Sequence, residues 1–151
     1  MRPNFRPAGE TDATAILGFM RELYDMDGTR PLEETMARRA LLGIVRDPQF
    51  GRVWVIEDGA EPIGYVILTL GYSLEYGGRD GFIDELFIAE AHRGRGVGRE
   101  TMRFLDGVCR ELGVRALHLE VERANTAAQR LYRTFGFADH DRYLLTKWIE
   151  S

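Results

Sequence analysis

Apolar residues recur along this chain at two spacings, one typical of helices and the other typical of strands. A first helix is predicted between a cap at Thr11 or Asp12 and a stop at Gly28. Its apolar face consists of Ile16, Leu17, Met20, Leu23 and Tyr24. Residues 31–48 predict a second helix, because a proline and two glutamates open the segment and a second proline closes it.

Strands are predicted where β-rich runs are separated by turn signals. They are a short strand at 4–7, a hairpin of RVWVIED and EPIGYVILTLGYSL across DGAE, then GFIDELFIAE, RALHLEVE and one or two final strands in FADHDRYLLTKWI. Two further helices separate the later strands. One ends at Gly113 and the other runs from a cap at Asn125 to Gly136. The resulting order, β-α-α-β-β-β-α-β-α-β, predicts a mixed α/β sheet with helices on both faces, in a single domain spanning residues 1–151.

Composition narrows the class of protein without naming a function. A chain of 151 residues with a net charge of −4 has no overall attraction to nucleic acid or to acidic membrane surfaces. No apolar run approaches the roughly 20 residues that span a bilayer, and no signal core precedes the first strand, so the expected location is the cytoplasm. The single cysteine, Cys109, excludes an internal disulfide, and no metal site is expected because neither His92 nor His118 has a companion ligand at suitable spacing.

The chemistry-bearing motif is RGRGVG, which covers Arg93 to Gly98 and lies between a predicted strand and a predicted helix. A dinucleotide fingerprint needs a third glycine where Arg99 or Thr101 stands, and a Walker A loop needs a lysine that is absent here. The glycines permit close approach of a ligand to the backbone, and the helix start offers free N–H groups. From these residues alone, a pyrophosphate cradle and a flexible turn with solvated arginines remain equally open.

Two further segments give the loop a family resemblance. The apolar strand IDELFI precedes it, and NTAAQRLYRTFGF, from Asn125 to Phe137, follows downstream. With these segments and the predicted order of elements, the chain resembles the GNAT N-acetyltransferase superfamily over essentially its whole length. The resemblance implies the GNAT acyl-CoA N-acyltransferase fold, with two neighbouring strands of the central sheet splayed apart. It also implies transfer of an acetyl group from acetyl-CoA, used as a co-substrate, to an amine.

The resemblance also implies which residues hold acetyl-CoA. Backbone N–H groups of the strand before the loop, at Leu86 and Ile88, would pair with the pantetheine arm and the acetyl oxygen. The candidate cofactor-binding residues are Leu86, Phe87, Ile88, Arg93, Gly94, Arg95, Gly96, Val97, Gly98, Arg99 and Asn125. Asn125 is expected to cap its helix in any case.

Three residues are candidates for catalysis. By resemblance Tyr132 is the general acid that protonates the leaving thiolate, although its place on an apolar helix stripe also suits a structural tyrosine. Asp84 and Glu85 are candidates for the base or for orienting a water, with solvated strand-edge charges as the alternative. Regular strand alternation would place at most one of the two in the cleft.

The acceptor is expected to be a small cationic amine, because acidic and aromatic residues flank the predicted site. The chain resembles the diamine- and polyamine-acetylating branch of the family at two places, the acidic pair of Asp84 and Glu85 and the closing segment RYLLTKWI. A protein or peptide N-acetyltransferase, or a non-catalytic module that senses acyl-CoA, remain alternatives. Related enzymes are often dimers, which leaves a homodimer open. The candidate acceptor residues are Tyr24, Asp25, Asp27, Tyr72, Glu75 and Tyr76.

Overall fold

A five-stranded sheet organises the first 120 residues of the chain in the computed structural model, which describes residues 2–28 and 30–151. The strands follow one another across the sheet in sequence order, and only the last pair is parallel. Their bounds are β1 Asn4–Pro7, β2 Gly51–Asp58, β3 Glu61–Ser73, β4 Gly78–Ile88 and β5 Ala116–His118. The predicted mixed sheet and the hairpin of β2 and β3 are therefore confirmed.

Three helices accompany this sheet, and a fourth lies in residues 121–151. Their bounds are α1 Ala13–Asp27, α2 Glu34–Arg46, α3 Val97–Leu112 and α4 Thr126–Thr134. Gly28 and Gly113 end α1 and α3 in the left-handed conformation, as their positions predicted. α2 begins at Glu34, three residues after the start that the sequence predicted. The Glu33 carboxylate caps the helix by accepting a hydrogen bond from the Met36 N–H.

Alternating side chains give the sheet two buried faces, because helices lie against both of them. One face carries Val53, Val55 and Tyr65 into a cluster with α1 and α2. Between these residues, Trp54 points to the opposite face, where its ring meets Phe104 of α3 edge-on at 5.1 Å. Phe87 of β4 belongs to the cluster on the α1 and α2 side.

Residues 121–151 form a separate compact unit built around α4. The Asn125 side chain accepts a hydrogen bond from the Ala128 N–H at 3.1 Å, so the predicted cap is confirmed. On α4 the Tyr132 ring meets Phe137 edge-on, with 5.8 Å between ring centroids. The turn between these two residues passes through Gly136, whose φ of 92° suits glycine.

The predicted final strands are wrong. Residues 137–151 contain no helix or strand, although the sequence alternates there. Beyond Phe137 the large apolar side chains are exposed, Leu145 to 88% and Ile149 to 83%, so the alternation has no buried face there, and no strand pairs with it. The strand predicted over 115–122 is also shorter than expected, because pairing with β4 ends at His118.

The predicted capping of α1 by a side chain is wrong as well. Residues Glu10–Asp12 form a 3-10 turn before the helix, and Asp12 makes no capping bond to it. Its carboxylate instead binds both terminal guanidinium nitrogens of Arg6 at 2.9 and 3.0 Å. A bidentate ion pair competes effectively with a helix cap for the same carboxylate.

Candidate active site

A bulge interrupts β4 at the acidic pair. In the ladder between β3 and β4, Ile67 lies opposite Glu85 while its neighbour Leu68 lies opposite Ile83. Asp84 is therefore the extra residue, with no partner on β3. A bulge of this kind breaks the strict alternation of side chains and bends the strand locally. The expectation that only one of the two acids faces the cleft assumed a regular strand, and it does not apply at this position.

Two tyrosines enclose the carboxylate of Glu85. The Tyr65 hydroxyl, on β3, donates to Oε1 at 2.7 Å, and the Tyr24 hydroxyl, on α1, donates to Oε2 at 2.8 Å. Tyr65 is fully buried. Each carboxylate oxygen thus has one hydrogen bond from a different structural element, and each retains lone-pair capacity for a further partner.

The surroundings of Glu85 push its pKa in opposite directions. Desolvation raises the pKa most, and the negative charges of Asp84 and Asp27 add to that increase. The two tyrosine hydrogen bonds favour the ionised form and lower the pKa, but the net shift is upward. Burial together with the charge of Glu85 also raises the pKa values of Tyr24 and Tyr65, which therefore remain hydroxyl donors.

Asp84 is in a different environment from its neighbour. Within the described residues its carboxylate accepts no hydrogen bond, and the side chain is exposed. Desolvation nevertheless raises its pKa. The charge of Asp84 raises the pKa values of Glu85 and of both tyrosines, so the two acids share one electrostatic site.

One edge of β4 is open beside these acids. In the described part of the chain, β5 pairs with β4 only along Asp80 to Phe82, so Ile83 to Ile88 have a strand neighbour there on the β3 side alone. The Ala89 N–H donates to Ile63 O at 2.7 Å, which directs it toward β3. Because backbone groups alternate along a strand, the N–H groups of Leu86 and Ile88 face the open edge, whereas that of Phe87 faces β3.

The loop that follows β4 leads into an uncapped helix start. Gly94 and Gly96 have φ values of 74° and 81°, and at either residue a Cβ would have no atom within 4 Å. No side chain caps α3 at Gly96. The N–H groups of Val97, Gly98 and Arg99 occupy the first helical positions, which have no acceptor within the helix. Open space, glycine backbone and free donors together fit a phosphate group.

Arg93 does not extend into this loop. Its side chain folds back along β4, where Nε donates to Ile88 O at 2.7 Å and Nη2 approaches Met26 Sδ at 3.2 Å. The guanidinium lies 5.4 Å from the centre of the Phe87 ring. These contacts place Arg93 on the wall of a cavity of about 360 Å³, which is lined by Glu22, Asp25, Met26, Phe87, Glu90 and Arg93. Arg95 and Arg99 belong to the loop and the helix start, where Arg95 is exposed.

The structure separates the six predicted acceptor residues into two groups. Tyr24 and Asp27 act directly on Glu85, by hydrogen bond and by charge respectively, and Asp25 lines the adjacent cavity. The remaining three, Tyr72, Glu75 and Tyr76, belong to the end of β3 and the turn before β4. The Tyr76 ring lies tilted against the ring of His118, with 4.8 Å between the ring centroids, and His118 pairs with Asp80. Asp80 precedes Glu85 by five residues, about 17 Å along a strand.

The remaining two predicted site residues lie in the unit of residues 121–151. Asn125 caps α4, and Tyr132 lies on the same helix, half-buried. Desolvation raises the pKa of Tyr132, so its hydroxyl is protonated at neutral pH. A protonated tyrosine can serve as a proton donor, which is the role that the family resemblance implies.

Tyr65 is the site residue that sequence reasoning missed. It stands in the run GYVILTL, where every neighbour but glycine and threonine is aliphatic, and hydrophobicity alone explains it as a core residue. A tyrosine in a fully buried strand needs a partner for its hydroxyl, however. The signal for such a partner was available in the sequence, because the strand predicted to follow carries Asp84 and Glu85.

A model of the acetyltransferase (GNAT) family matches residues 17–137, which is most of the chain. The chain belongs to the GNAT acetyltransferase family. The family resemblance seen in the loop and the downstream motif is thereby confirmed.

Solved structures agree with this assignment. An integron cassette protein from the mobile metagenome of Cole Harbour Salt Marsh is 35% identical, with a TM-score of 0.85, over 97% of this chain and 91% of that one. A predicted acetyltransferase from Clostridium acetobutylicum, solved with acetyl-CoA, has a TM-score of 0.81 over 96% of both chains. At 17% identity the second protein shows the shared fold.

Two proteins named as acetyltransferases share shorter stretches of sequence with this chain. Streptothricin acetyltransferase of Streptomyces lavendulae is 43% identical over 56 residues, which are 37% of this chain and 30% of that protein. The uncharacterized N-acetyltransferase YycN of Bacillus subtilis strain 168 is 33% identical over 67 residues, which are 44% of this chain and 43% of that protein. The chain therefore matches less than half the length of either relative.

The described residues hold neither a metal-binding cluster nor a membrane-spanning helix. Residues 2–28 and 30–151 contain no group of three or more His, Cys, Asp and Glu side chains placed to hold a metal ion. No helix in that part of the chain is long and apolar enough to cross a membrane. The cytoplasmic location and the homodimer stay predictions.

Proposed function

We propose that this GNAT protein transfers the acetyl group of acetyl-CoA to a primary amine of a small cationic acceptor. The observation that carries the proposal is the placement of Glu85, whose enclosed carboxylate lies on the bulge of β4 beside the open edge of the same strand. A base beside a slot with free backbone donors is what amide formation from an activated acyl group requires.

Negative charge supports a cationic acceptor. Asp84 and Asp27 act on the same site as Glu85, and the adjacent cavity adds Glu22, Asp25 and Glu90 against a single guanidinium. A relative named streptothricin acetyltransferase supports a small-molecule acceptor rather than a protein. The sequence resemblance to the polyamine-acetylating branch points to diamines and polyamines as the first compounds to test.

The open edge of β4 and the loop after it carry the groups that we propose bind acetyl-CoA. The N–H groups of Leu86 and Ile88 would hold the pantetheine arm and polarise the thioester carbonyl, since both face the open edge of β4. The loop glycines and the first N–H groups of α3 would hold the pyrophosphate, with Arg95 and Arg99 adding charge. Arg93 would support the cofactor indirectly, because its guanidinium is engaged by Ile88 O.

The acetyl transfer balances with one base and one acid. The acceptor ammonium gives a proton to the Glu85 carboxylate, directly or through one water, and the freed lone pair forms the C–N bond to the acetyl carbon. As the C–S bond breaks, the Tyr132 hydroxyl donates a proton to the departing thiolate. The amide nitrogen then loses its second proton, which restores Tyr132, and Glu85 releases its own proton to solvent. The products are the acetylated amine, CoA and one proton.

Tyr132 is proposed as the acid on the family resemblance and on its protonation state. Replacing Tyr132 by Phe removes the hydroxyl and keeps the ring that packs on Phe137. We expect kcat to fall about 100-fold, within the range for loss of a general acid, with the Kd for acetyl-CoA unchanged. Steady-state kinetics and calorimetric titration of acetyl-CoA measure the two quantities, and an unchanged kcat would remove Tyr132 from the mechanism.

The proposed activity is tested by release of the CoA thiol with a panel of amines. Diamines, polyamines, streptothricin, aminoglycosides, amino acids and short peptides would be supplied with acetyl-CoA, and acetylated products identified by mass spectrometry. We expect acceptor-dependent thiol release with small cationic amines. Turnover with peptides alone would support the protein acetyltransferase alternative. Tight binding of acetyl-CoA without thiol release for any acceptor would support the sensing module and contradict an enzyme.

A further inference from the structure

Tyr24 and Tyr65 each donate a hydrogen bond to the Glu85 carboxylate, whereas the carboxylate of Asp84 accepts none within the described residues. This difference distinguishes the two adjacent acids. We propose that Tyr24 and Tyr65 are positioning residues that fix the carboxylate of Glu85, the proton acceptor of the proposed transfer, and that Asp84 contributes charge only. This inference rests on the proposed acetyl transfer, which it deepens by dividing the work between two adjacent acids.

Two donors from different structural elements hold the Glu85 carboxylate. Tyr65 reaches Oε1 from β3, and Tyr24 reaches Oε2 from α1, at 2.7 and 2.8 Å. A single hydrogen bond leaves a carboxylate free to rotate about its terminal torsion, which is broad for glutamate. Two bonds from separate elements, one to each oxygen, define the plane of the carboxylate. The remaining lone pairs are then aimed in fixed directions, as proton transfer requires.

Both donors are themselves held by packing. The Tyr65 ring has no exposed surface and lies 6.4 Å from the ring of Phe87, its neighbour across the ladder. Tyr24 stands one turn before the end of α1, where Gly28 donates its N–H to Tyr24 O at 3.0 Å. The Phe19 ring, on the preceding turns of α1, lies 6.4 Å from Tyr65. The packing between α1 and the sheet therefore sets the distance between the two hydroxyls.

Asp84 lacks any comparable support. It is the unpaired residue of the bulge, it is exposed, and its carboxylate accepts no hydrogen bond within the described residues. Nothing fixes its orientation, so it suits attraction of a cation more than transfer of a proton at a defined atom. Replacing Asp84 should therefore affect the binding of the acceptor more than the rate of the chemical step.

The groups that face Glu85 determine the expected pH effect. They are Asp84 on β4, Tyr65 on β3, and Tyr24 and Asp27 on α1; the charge of Arg30 acts on Tyr24. Removing either hydroxyl deletes a hydrogen bond that favours the ionised carboxylate, and it leaves the negative neighbours in place. The pKa of Glu85 then rises, so the base is protonated over a wider range of pH and the acidic limb of the rate profile moves upward.

The test compares Tyr24→Phe and Tyr65→Phe with the wild type, with Tyr143→Phe as a matched control at a residue that is 85% exposed in another part of the chain. We expect the acidic limb of kcat against pH to move up by about one pH unit in each site variant, as loss of one charge-assisted hydrogen bond implies. The KM for acetyl-CoA should not change. The control should reproduce the wild-type profile.

A second readout follows the carboxylate itself. Carbon-13 labelling of glutamate, with the Glu85 signal assigned from its loss in Glu85→Gln, gives the titration of that carboxyl group without any turnover. We expect its midpoint to rise together with the acidic limb. If the midpoint rises and the limb stays in place, Glu85 is not the proton acceptor. Tyr24 is more exposed than Tyr65, so Tyr24→Phe is the variant less at risk of misfolding. If neither the titration midpoint nor the acidic limb moves in Tyr24→Phe, the tyrosines do not hold the carboxylate.

Failure of this inference is distinguishable from failure of the proposed function. A wild-type chain that releases no thiol with any amine overturns the proposed function before any variant is compared. An active wild-type enzyme whose acidic limb is unchanged in Tyr24→Phe and Tyr65→Phe overturns the inference alone. Thermal unfolding of each variant identifies a loss of activity that is due only to misfolding.

Discussion

In the middle of β4 the Glu85 carboxylate is enclosed by two side chains, whereas in the loop that follows the strand the backbone faces open space. The first region is organised by contacts between distant parts of the chain: 61 residues separate Tyr24 from Glu85, and 20 separate Tyr65 from Glu85. The second is organised locally, by glycines in the left-handed conformation and by the free start of α3. Proton transfer needs an oriented side chain, and binding of phosphate needs oriented peptide groups.

The two regions are adjacent along the chain but should fail in different ways when they are altered. A change at Glu85 should impair the chemical step and leave the cofactor bound. A change at a loop glycine should weaken binding of the cofactor and leave the chemical step nearly intact at saturation. Substitutions that separate kcat from Kd therefore test whether the division of labour between the regions is real.

The largest effect is expected at the enclosed carboxylate. Glu85→Gln keeps the shape of the side chain and a carbonyl acceptor for one tyrosine, but it cannot take up a proton at neutral pH. We expect kcat to fall roughly 100- to 1000-fold, as loss of a general base implies. Rapid-mixing measurements of acetyl transfer at saturating acetyl-CoA provide the rate, and calorimetry should give an unchanged Kd for acetyl-CoA.

The pH dependence of wild-type activity tests the same role of Glu85. Because desolvation raises the pKa of Glu85, the base loses its negative charge at a higher pH than an ordinary glutamate does. Activity should be present above that raised pKa and decline as the pH falls through it. In Glu85→Gln the residual rate should not show this acidic limb. An acidic limb that persists in the variant would assign the ionisation to another group.

These two regions also differ in how far the sequence predicted them. The loop was predictable because its function depends on backbone conformation, and Gly94 and Gly96 encode that conformation locally through positive φ. The enclosure of Glu85 was not predictable in the same way. Tyr24 was expected to line the acceptor pocket and Tyr65 to fill the core, and only the packing of α1 on the sheet brings their hydroxyls to one carboxylate.

The same distinction explains the errors in the predicted fold. Helix ends at Gly28 and Gly113 were correct because a left-handed glycine stops a helix locally. The final strands were wrong because alternation describes a possible buried face, and a strand also requires a neighbour that pairs with it. In residues 138–151 the large apolar side chains are exposed and no strand pairing is formed.

An intermediate effect is expected in the loop. Gly96 has a φ of 81° and open space for 4 Å around the position that a Cβ would take, so a valine there would suffer backbone strain without a steric clash at Cβ. A β-branched residue in this conformation costs about 1–3 kcal/mol, which the loop would relieve by changing its backbone. We expect the Kd for acetyl-CoA to rise roughly tenfold in Gly96→Val, with kcat at saturation within about twofold of the wild type.

A glycine elsewhere on the same helix supplies the control for this variant. Gly107 lies inside α3, has no positive φ, and has open space where a Cβ would stand. Gly107→Ala should leave the Kd for acetyl-CoA unchanged and raise the free energy of unfolding by about 0.5–1 kcal/mol, because alanine loses less conformational entropy in a helix. An equal loss of affinity in both variants would mean that α3, and not its loop, governs cofactor binding.

The smallest effect is expected at Asp84. Its exposed carboxylate attracts a cationic acceptor without orienting it, so Asp84→Asn should raise the KM for a diamine several-fold and change kcat little. The change in KM should shrink as salt concentration increases, since exposed charges are screened. A loss of kcat of about 100-fold in Asp84→Asn, with Glu85→Gln nearly active, would exchange the roles of the two acids.

The central claim, that Glu85 on β4 performs the proton transfer while the loop holds the cofactor, is tested most directly by combining one substitution from each region. In the double variant Glu85→Gln with Gly96→Val, kcat/KM for acetyl-CoA is compared with that of each single variant. Independent regions should give multiplicative losses, roughly 1000- to 10000-fold in total, because separated sites contribute additively to the free energy. A double variant no slower than Glu85→Gln alone would show that the loop and the carboxylate act as one unit, and would contradict the proposed division between them.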